Sequence, residues 1–178
     1  MKPYIALFRG INVGGRNKLP MRELVTILEN LGLHNICTYI QSGNVVFQNE
    51  DDNIAGLAER ISTAIDEHLG FTPNIILLTL EEFENAVSAN PYPEAEAEPK
   101  TLHVYFLAAE PEHPDLEMLE RLKKENERYA LLGKVFYLHA PDGIGRSKLA
   151  ARAEKALGVA TTARNWRSVG KILELAKK

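Results

Sequence analysis

Between Tyr4 and Thr79 the apolar residues change period four times, and that alternation restricts the fold more than any other property of the chain. Residues 4–9 read as a strand. Pro20 then opens a helix at its first turn, where a missing N–H costs nothing. Met21, Leu24, Val25, Leu28 and Leu31 recur at helical spacing, and Gly32 closes that helix. Residues 36–40 and 45–48 read as two strands around Gln41-Ser42-Gly43-Asn44, a hairpin signal. Ile54, Leu57, Ala58, Ile61, Ile65 and Leu69 mark a second helix ending at Gly70, and residues 74–79 form a further strand.

The order is β-α-β-β-α-β, the split βαβ arrangement of ferredoxin-like domains, and the fold class is α+β. In that plan the first two strands run parallel with the third between them. The loop after strand one and the turn after strand two therefore open at the same end of the sheet. Residues 9–17 and 41–44 are expected to be neighbours. Phe8 and Phe47 fall on one sheet face, while Ile5, Leu7 and Val46 make the other face apolar too. Both faces are thus expected to be covered, which argues against an open RNA-binding sheet.

Residues 81–89 read as a short helix, and residues 90–100 as a connector rich in proline and glutamate. The expected organisation is a ferredoxin-like unit over 1–89, the connector over 90–100, and a second α+β unit over 101–178. In the latter, residues 101–108 read as a strand, and Leu116, Leu119 and Leu122 support a helix from about Asp115. Residues 129–132 and 135–139 form a hairpin around Gly133-Lys134, and two helices follow over 148–157 and 163–176. This related unit is βαββα with a basic C-terminal helical pair, so it is expected to end in a helix instead of a strand. Gly43-Asn-Val-Val-Phe47 is echoed in Gly133-Lys-Val-Phe-Tyr137, which fits a duplicated plan or convergent hairpin chemistry equally.

At 45% hydrophobic residues the chain has enough apolar material for a real core. No apolar run approaches the roughly 20 residues of a membrane helix, and the N-terminus lacks a signal-peptide pattern. A single cysteine, Cys37, excludes an internal disulfide framework and fits a reducing cytoplasm. The net charge of −3 hides an asymmetry. Residues 1–22 carry Lys2, Arg9, Arg16, Lys18 and Arg22 and no acid; residues 142–178 carry nine basic residues against three acidic. Basic ends flanking an acidic middle point either to an anionic partner or to pairing inside the fold.

Three clusters carry the candidate chemistry. Arg9-Gly-Ile-Asn-Val-Gly-Gly-Arg-Asn17 leaves backbone N–H groups uncovered among donors, which suits an anion. Its glycine spacing matches a phosphate-binding loop, yet Arg16 stands for the lysine and Asn17 for the magnesium-binding hydroxyl. The second cluster is Gly143-Ile-Gly-Arg-Ser-Lys148, where Ser147 is placed to cap the helix that follows. Arg146 and Lys148 would flank that helix's positive end, where an anion is favoured. The third is Thr161-Thr-Ala-Arg-Asn-Trp166-Arg167, in which Thr162 is read as the cap of the last helix and Trp166 as an anchor shared with Val169 and Leu173. Arg164 and Asn165 then begin a helix where a carboxylate would suit the dipole better, which makes sense if something negative accompanies them. The five histidines show no metal spacing. Cys37 reads as a small buried residue, and neither Ser42 nor Ser147 has a base visible in the sequence.

Taken together, RGINVGGRN, TYIQSGNVVF, GRSKL and TTARNWRSV resemble a bacterial domain-of-unknown-function family over nearly the whole chain. The resemblance implies two linked ferredoxin-like units and no established activity, substrate or cofactor. Arg9, Asn12, Gly14, Gly15, Asn17, Gln41, Ser42, Gly43, Asn44, Ser147, Lys148, Arg164, Asn165 and Trp166 match its motif positions.

The leading expectation is a cytoplasmic binding protein. Its pocket would join the first loop and hairpin to the C-terminal basic helices and take a nucleotide, a nucleic acid or a phosphorylated metabolite. The ligand-binding candidates are Arg9, Asn12, Gly14, Gly15, Asn17, Gln41, Ser42, Asn44, Ser147, Lys148, Arg164 and Asn165; no metal, cofactor or membrane is called for. One alternative is an enzyme acting on a small phosphorylated compound, with Arg9, Lys148 and Arg164 stabilising charge. The other is a scaffold whose motifs only pin the chain together.

Overall fold

The computed structural model describes residues 1–178, which form two compact units, Met1–Asn85 with Lys171–Lys178 and Ala86–Gly170. In the first unit β1 (Lys2–Arg9), β2 (His34–Tyr39), β3 (Asn44–Asn49) and β4 (Asn74–Thr79) make one sheet in the order β2-β3-β1-β4. All neighbours are antiparallel, with Tyr4 opposite Phe47 on one side and Thr79 on the other. Helices α1 (Met21–Asn30) and α2 (Leu57–Leu69) cover one face. Their buried residues Leu24, Ile27, Leu28, Ile61 and Ile65 pack on Tyr4, Ala6, Phe8, Val45 and Phe47. Each such side chain contributes about 1.5–3 kcal/mol by leaving water. Helix α3 (Leu80–Ser88) follows β4 directly.

Alternation along β1 places Ile5 and Leu7 on the opposite face from Phe8, and these too are buried, as is Val46. With both faces covered, the sheet offers no stacking platform for bases. Pro20 sits one position ahead of the helix, at the cap, where its carbonyl accepts the first helical bond from Leu24 (3.0 Å). Cys37 is exposed, not buried as its apolar neighbours suggested. It lies on the edge strand β2, next to an irregularity in the pairing between His34 and Cys37.

The second unit repeats the plan with β5 (Leu102–Leu107), α4 (Leu116–Leu122), β6 (Arg128–Leu132), β7 (Val135–His139), α5 (Lys148–Leu157) and β8 (Thr161–Asn165). Its sheet order, β6-β7-β5-β8, is again second-third-first-fourth. Leu119 of α4 and Leu149, Ala153, Ala156 and Leu157 of α5 pack on Tyr105, Leu107, Phe136 and Leu138. A 3-10 helix, Pro93–Ala97, precedes β5, so the proline- and glutamate-rich stretch is itself folded.

The strand β8 departs from expectation. Residues 161–165 extend and pair with β5, Thr162 opposite Phe106 and Arg164 opposite Val104, so the unit is βαββαβ before its final helix. Without β8 one side of β5 would carry unpaired backbone donors and acceptors, which costs more than the modest strand preference of Ala163 or Asn165. Helix α6 (Trp166–Ala176) starts only then. Its last residues belong to the first unit, where Lys177 pairs with Glu84 at 2.8 Å. No helix is long and apolar enough to cross a membrane.

Candidate functional site

The loop after β1 is closed at its neck by its own asparagines. Asn12 adopts φ 54° and Asn17 φ 50°, left-handed conformations that asparagine tolerates. Asn12 Nδ2 donates to the carbonyls of Leu19 (2.9 Å) and Gln41 (2.8 Å), and its Oδ1 accepts from the Leu19 N–H (2.8 Å). Asn17 Nδ2 donates to the Gly10 carbonyl (3.0 Å), while the Asn12 N–H donates to the Asn17 carbonyl (3.1 Å). At the tip, the Arg16 N–H donates to the Val13 carbonyl (3.1 Å) around Gly14 (φ 60°) and Gly15 (φ 73°). Two successive positive φ values make a type I′ turn, the tightest hairpin reversal.

The turn between β2 and β3 meets this loop, as the topology required. Asn12 bonds Gln41 across the two segments, and the Phe8 N–H donates to the Gly43 carbonyl (2.8 Å). Gly43 is in close contact: a Cβ there would lie 2.5 Å from Phe8 Cβ and 2.8 Å from Ile11 Cδ1. Asn44, 1% exposed, donates through Nδ2 to the Tyr39 carbonyl (3.1 Å) and Ser42 Oγ (3.0 Å). Among the predicted site residues of this unit, Asn12, Asn17 and Asn44 thus spend their amides holding the loops. Arg9, Gly14, Gly15, Gln41 and Ser42 are exposed on the rim with Val13, Arg16, Lys18 and Ile40.

The rim's own residues, 9–18 and 41–42, carry Arg9, Arg16 and Lys18 and no acid. No acid occurs before Glu23, and no ion pair neutralises Arg16 or Lys18. The geometry differs from a phosphate-binding loop, however. The Asn12 and Arg16 N–H groups are consumed within the loop, and α1 begins four residues past Asn17.

In the second unit Ser147 caps α5 as expected, its Oγ accepting from the Ala150 N–H (3.0 Å). Lys148 and Arg146 are exposed around that helix start, whose first turn holds no acid. Arg164 and Asn165 do not begin a helix. Arg164 is a strand residue, 9% exposed, donating from Nη1 to Thr162 Oγ1 (2.7 Å) and to the Ala163 carbonyl (2.9 Å). Burial lowers its guanidinium pKa to about 10, which still leaves it charged at neutral pH. Asn165, not Thr162, caps α6, accepting the Ser168 N–H at 2.9 Å. Trp166 is half-buried, and its backbone N–H donates to the Pro99 carbonyl (3.2 Å).

Some polar groups carried no sequence signal. His103 is buried in β5 with Nδ1 unpartnered, and burial lowers its pKa to about 4. Arg128 lies 4.4 Å from the Tyr92 ring centre, pairs with Glu94, and meets His139 Nδ1 at 3.0 Å. Burial, then the Arg128 charge, holds the His139 pKa down. These contacts fasten the 3-10 helix to the β6–β7 hairpin. No group of three or more His, Cys, Asp or Glu side chains is placed to hold a metal ion.

Residues 1–137 match the family described as "Protein of unknown function (DUF1697)". Among solved structures, the chain is similar to a conserved bacterial protein, SP0830, from Streptococcus pneumoniae. The two are 29% identical, with a TM-score of 0.72 over 98% of each chain. Comparison with curated proteins gives no match.

Proposed function

This chain belongs to the DUF1697 family of proteins of unknown function, and on that footing we propose that it binds an anionic, phosphate-bearing ligand on the rim formed by residues 9–18 and 41–42. The observation that carries this reading is the division of labour in the loop. Asparagine amides hold the frame, while Arg16 and Lys18 are left exposed and unpaired on it. A frame fixed before the ligand arrives loses little entropy on binding. Backbone turns and guanidinium or ammonium donors recognise phosphate oxygens well. Exposed Lys148 and Arg146 at the uncompensated start of α5 favour an anion by the same electrostatics. A lone exposed thiol, Cys37, fits a cytoplasmic setting.

The test is titration of the protein with inorganic tripolyphosphate at several salt concentrations. Affinity is expected to fall as salt rises. The double variant Arg16→Ala/Lys18→Ala is expected to bind at least about tenfold more weakly, a loss of about 1.4 kcal/mol, with its melting temperature unchanged. Salt-independent binding, or binding indifferent to both substitutions, removes the proposal.

A further inference from the structure

Ile40 is the residue of this rim that folding explains least. It follows β2 with φ 51°, a left-handed backbone that a β-branched side chain adopts only under strain. It is 51% exposed, so burial offsets little of that strain. Asparagine or glycine would make the same reversal at lower cost, as Asn12 and Asn17 do at φ 54° and 50° nearby. Val13, 68% exposed, stands at the tip of the adjoining loop. Its chain neighbour Asn12 donates to the carbonyl of Gln41, the chain neighbour of Ile40. Two aliphatic side chains are therefore held out to water on segments tied by one hydrogen bond, with the unpaired cations Arg16 and Lys18 following Val13 in the chain.

Resting on the anion site proposed above, we infer that its ligand is a nucleoside phosphate, with the base against Ile40 and Val13 and the phosphates at Arg16 and Lys18. A base has apolar faces that aliphatic side chains cover, and phosphates complement the positive rim. An inorganic or sugar phosphate would make no use of Ile40, and the strain there would go unexplained. Strained backbone persisting on an exposed, clamped segment fits ligand contact.

Titration calorimetry with ATP, a single-stranded oligonucleotide and tripolyphosphate tests this. ATP or the oligonucleotide is expected to bind more tightly than tripolyphosphate, and the tighter of the two identifies the free nucleotide or the strand as the source. Ile40→Asn keeps the left-handed turn and is expected to weaken the nucleoside ligand about tenfold. It should leave tripolyphosphate unchanged and raise the melting temperature by about 2–4 °C. Val13→Ser is expected to weaken the same ligand without raising it. Equal affinity for ATP and tripolyphosphate, untouched by Ile40→Asn, overturns the base contact and leaves the anion site standing. Binding of none of the three overturns both. Capture by phosphatidylserine vesicles that Ile40→Asn weakens, with no nucleotide bound, assigns the pair to a lipid surface and overturns the inference.

Discussion

Gly43 and Gly14 answer very differently to an added methyl group, although they lie in the two loops that meet and both have positive φ. At Gly43 the new carbon would strike Phe8 Cβ at 2.5 Å and Ile11 Cδ1 at 2.8 Å, where β1 cannot retreat without disturbing its pairing with β3. At Gly14 nothing lies within 4 Å, so only the backbone conformation resists. Gly43→Ala is expected to cost about 2–4 kcal/mol and Gly14→Ala about 1 kcal/mol, measured by urea denaturation. Equal costs at the two positions would mean that the loops are not packed together through Gly43. The asparagines carry a related lesson. Asn12 was legible as a site residue from its motif, but its clamp on Gln41 spans 29 positions, and spacing along a chain does not reveal which amide group reaches which carbonyl.

At the scale of elements, strands with β-branched or aromatic runs and helices with clear apolar spacing were legible to within about three residues, a miss of that size being the start of α2 at Leu57 instead of Ile54. Residues 74–79, 135–139 and 148–157 coincide with β4, β7 and α5. The split βαβ order of the first sheet, and the meeting of its two loops, followed from that pattern. Strand β8 was not legible because Thr161-Thr-Ala-Arg-Asn165 is short, polar and carries a buried arginine. Its strand character comes from the open side of β5, a tertiary cause that local propensity does not contain. The cap of the last helix moved accordingly from Thr162 to Asn165. Asn165→Ala is expected to destabilise the protein by about 1 kcal/mol, and Ser147→Ala at α5 by a similar amount. Thermal denaturation of the two variants checks this, and an Asn165→Ala protein as stable as the parent would contradict the cap. The proline- and glutamate-rich stretch read as a connector because proline and charge dominate it; the Arg128–Tyr92 stacking that orders it lies across some 36 positions of sequence.

For the whole molecule, buried His103 couples stability to pH. Its imidazole must stay neutral in the fold, since burial lowers its pKa from 6.5 to about 4. Between those values the unfolded chain takes up a proton that the folded chain refuses, so stability falls as pH drops through this window. The full effect, reached near pH 4, is about 3 kcal/mol. Denaturation curves at pH 7 and pH 4.5 are expected to show a smaller acid loss in His103→Leu than in the parent; the same loss in both would rule out this source. A different consequence follows from the membership of Lys171–Lys178 in the first unit. Residues 1–85 are made before residues 171–178, yet the compact unit they form also takes in those later residues, where Lys177 pairs with Glu84. During synthesis the strands of both units are therefore complete before the first unit receives its last segment, and a stop codon after Gly170 would take residues from the unit translated earlier.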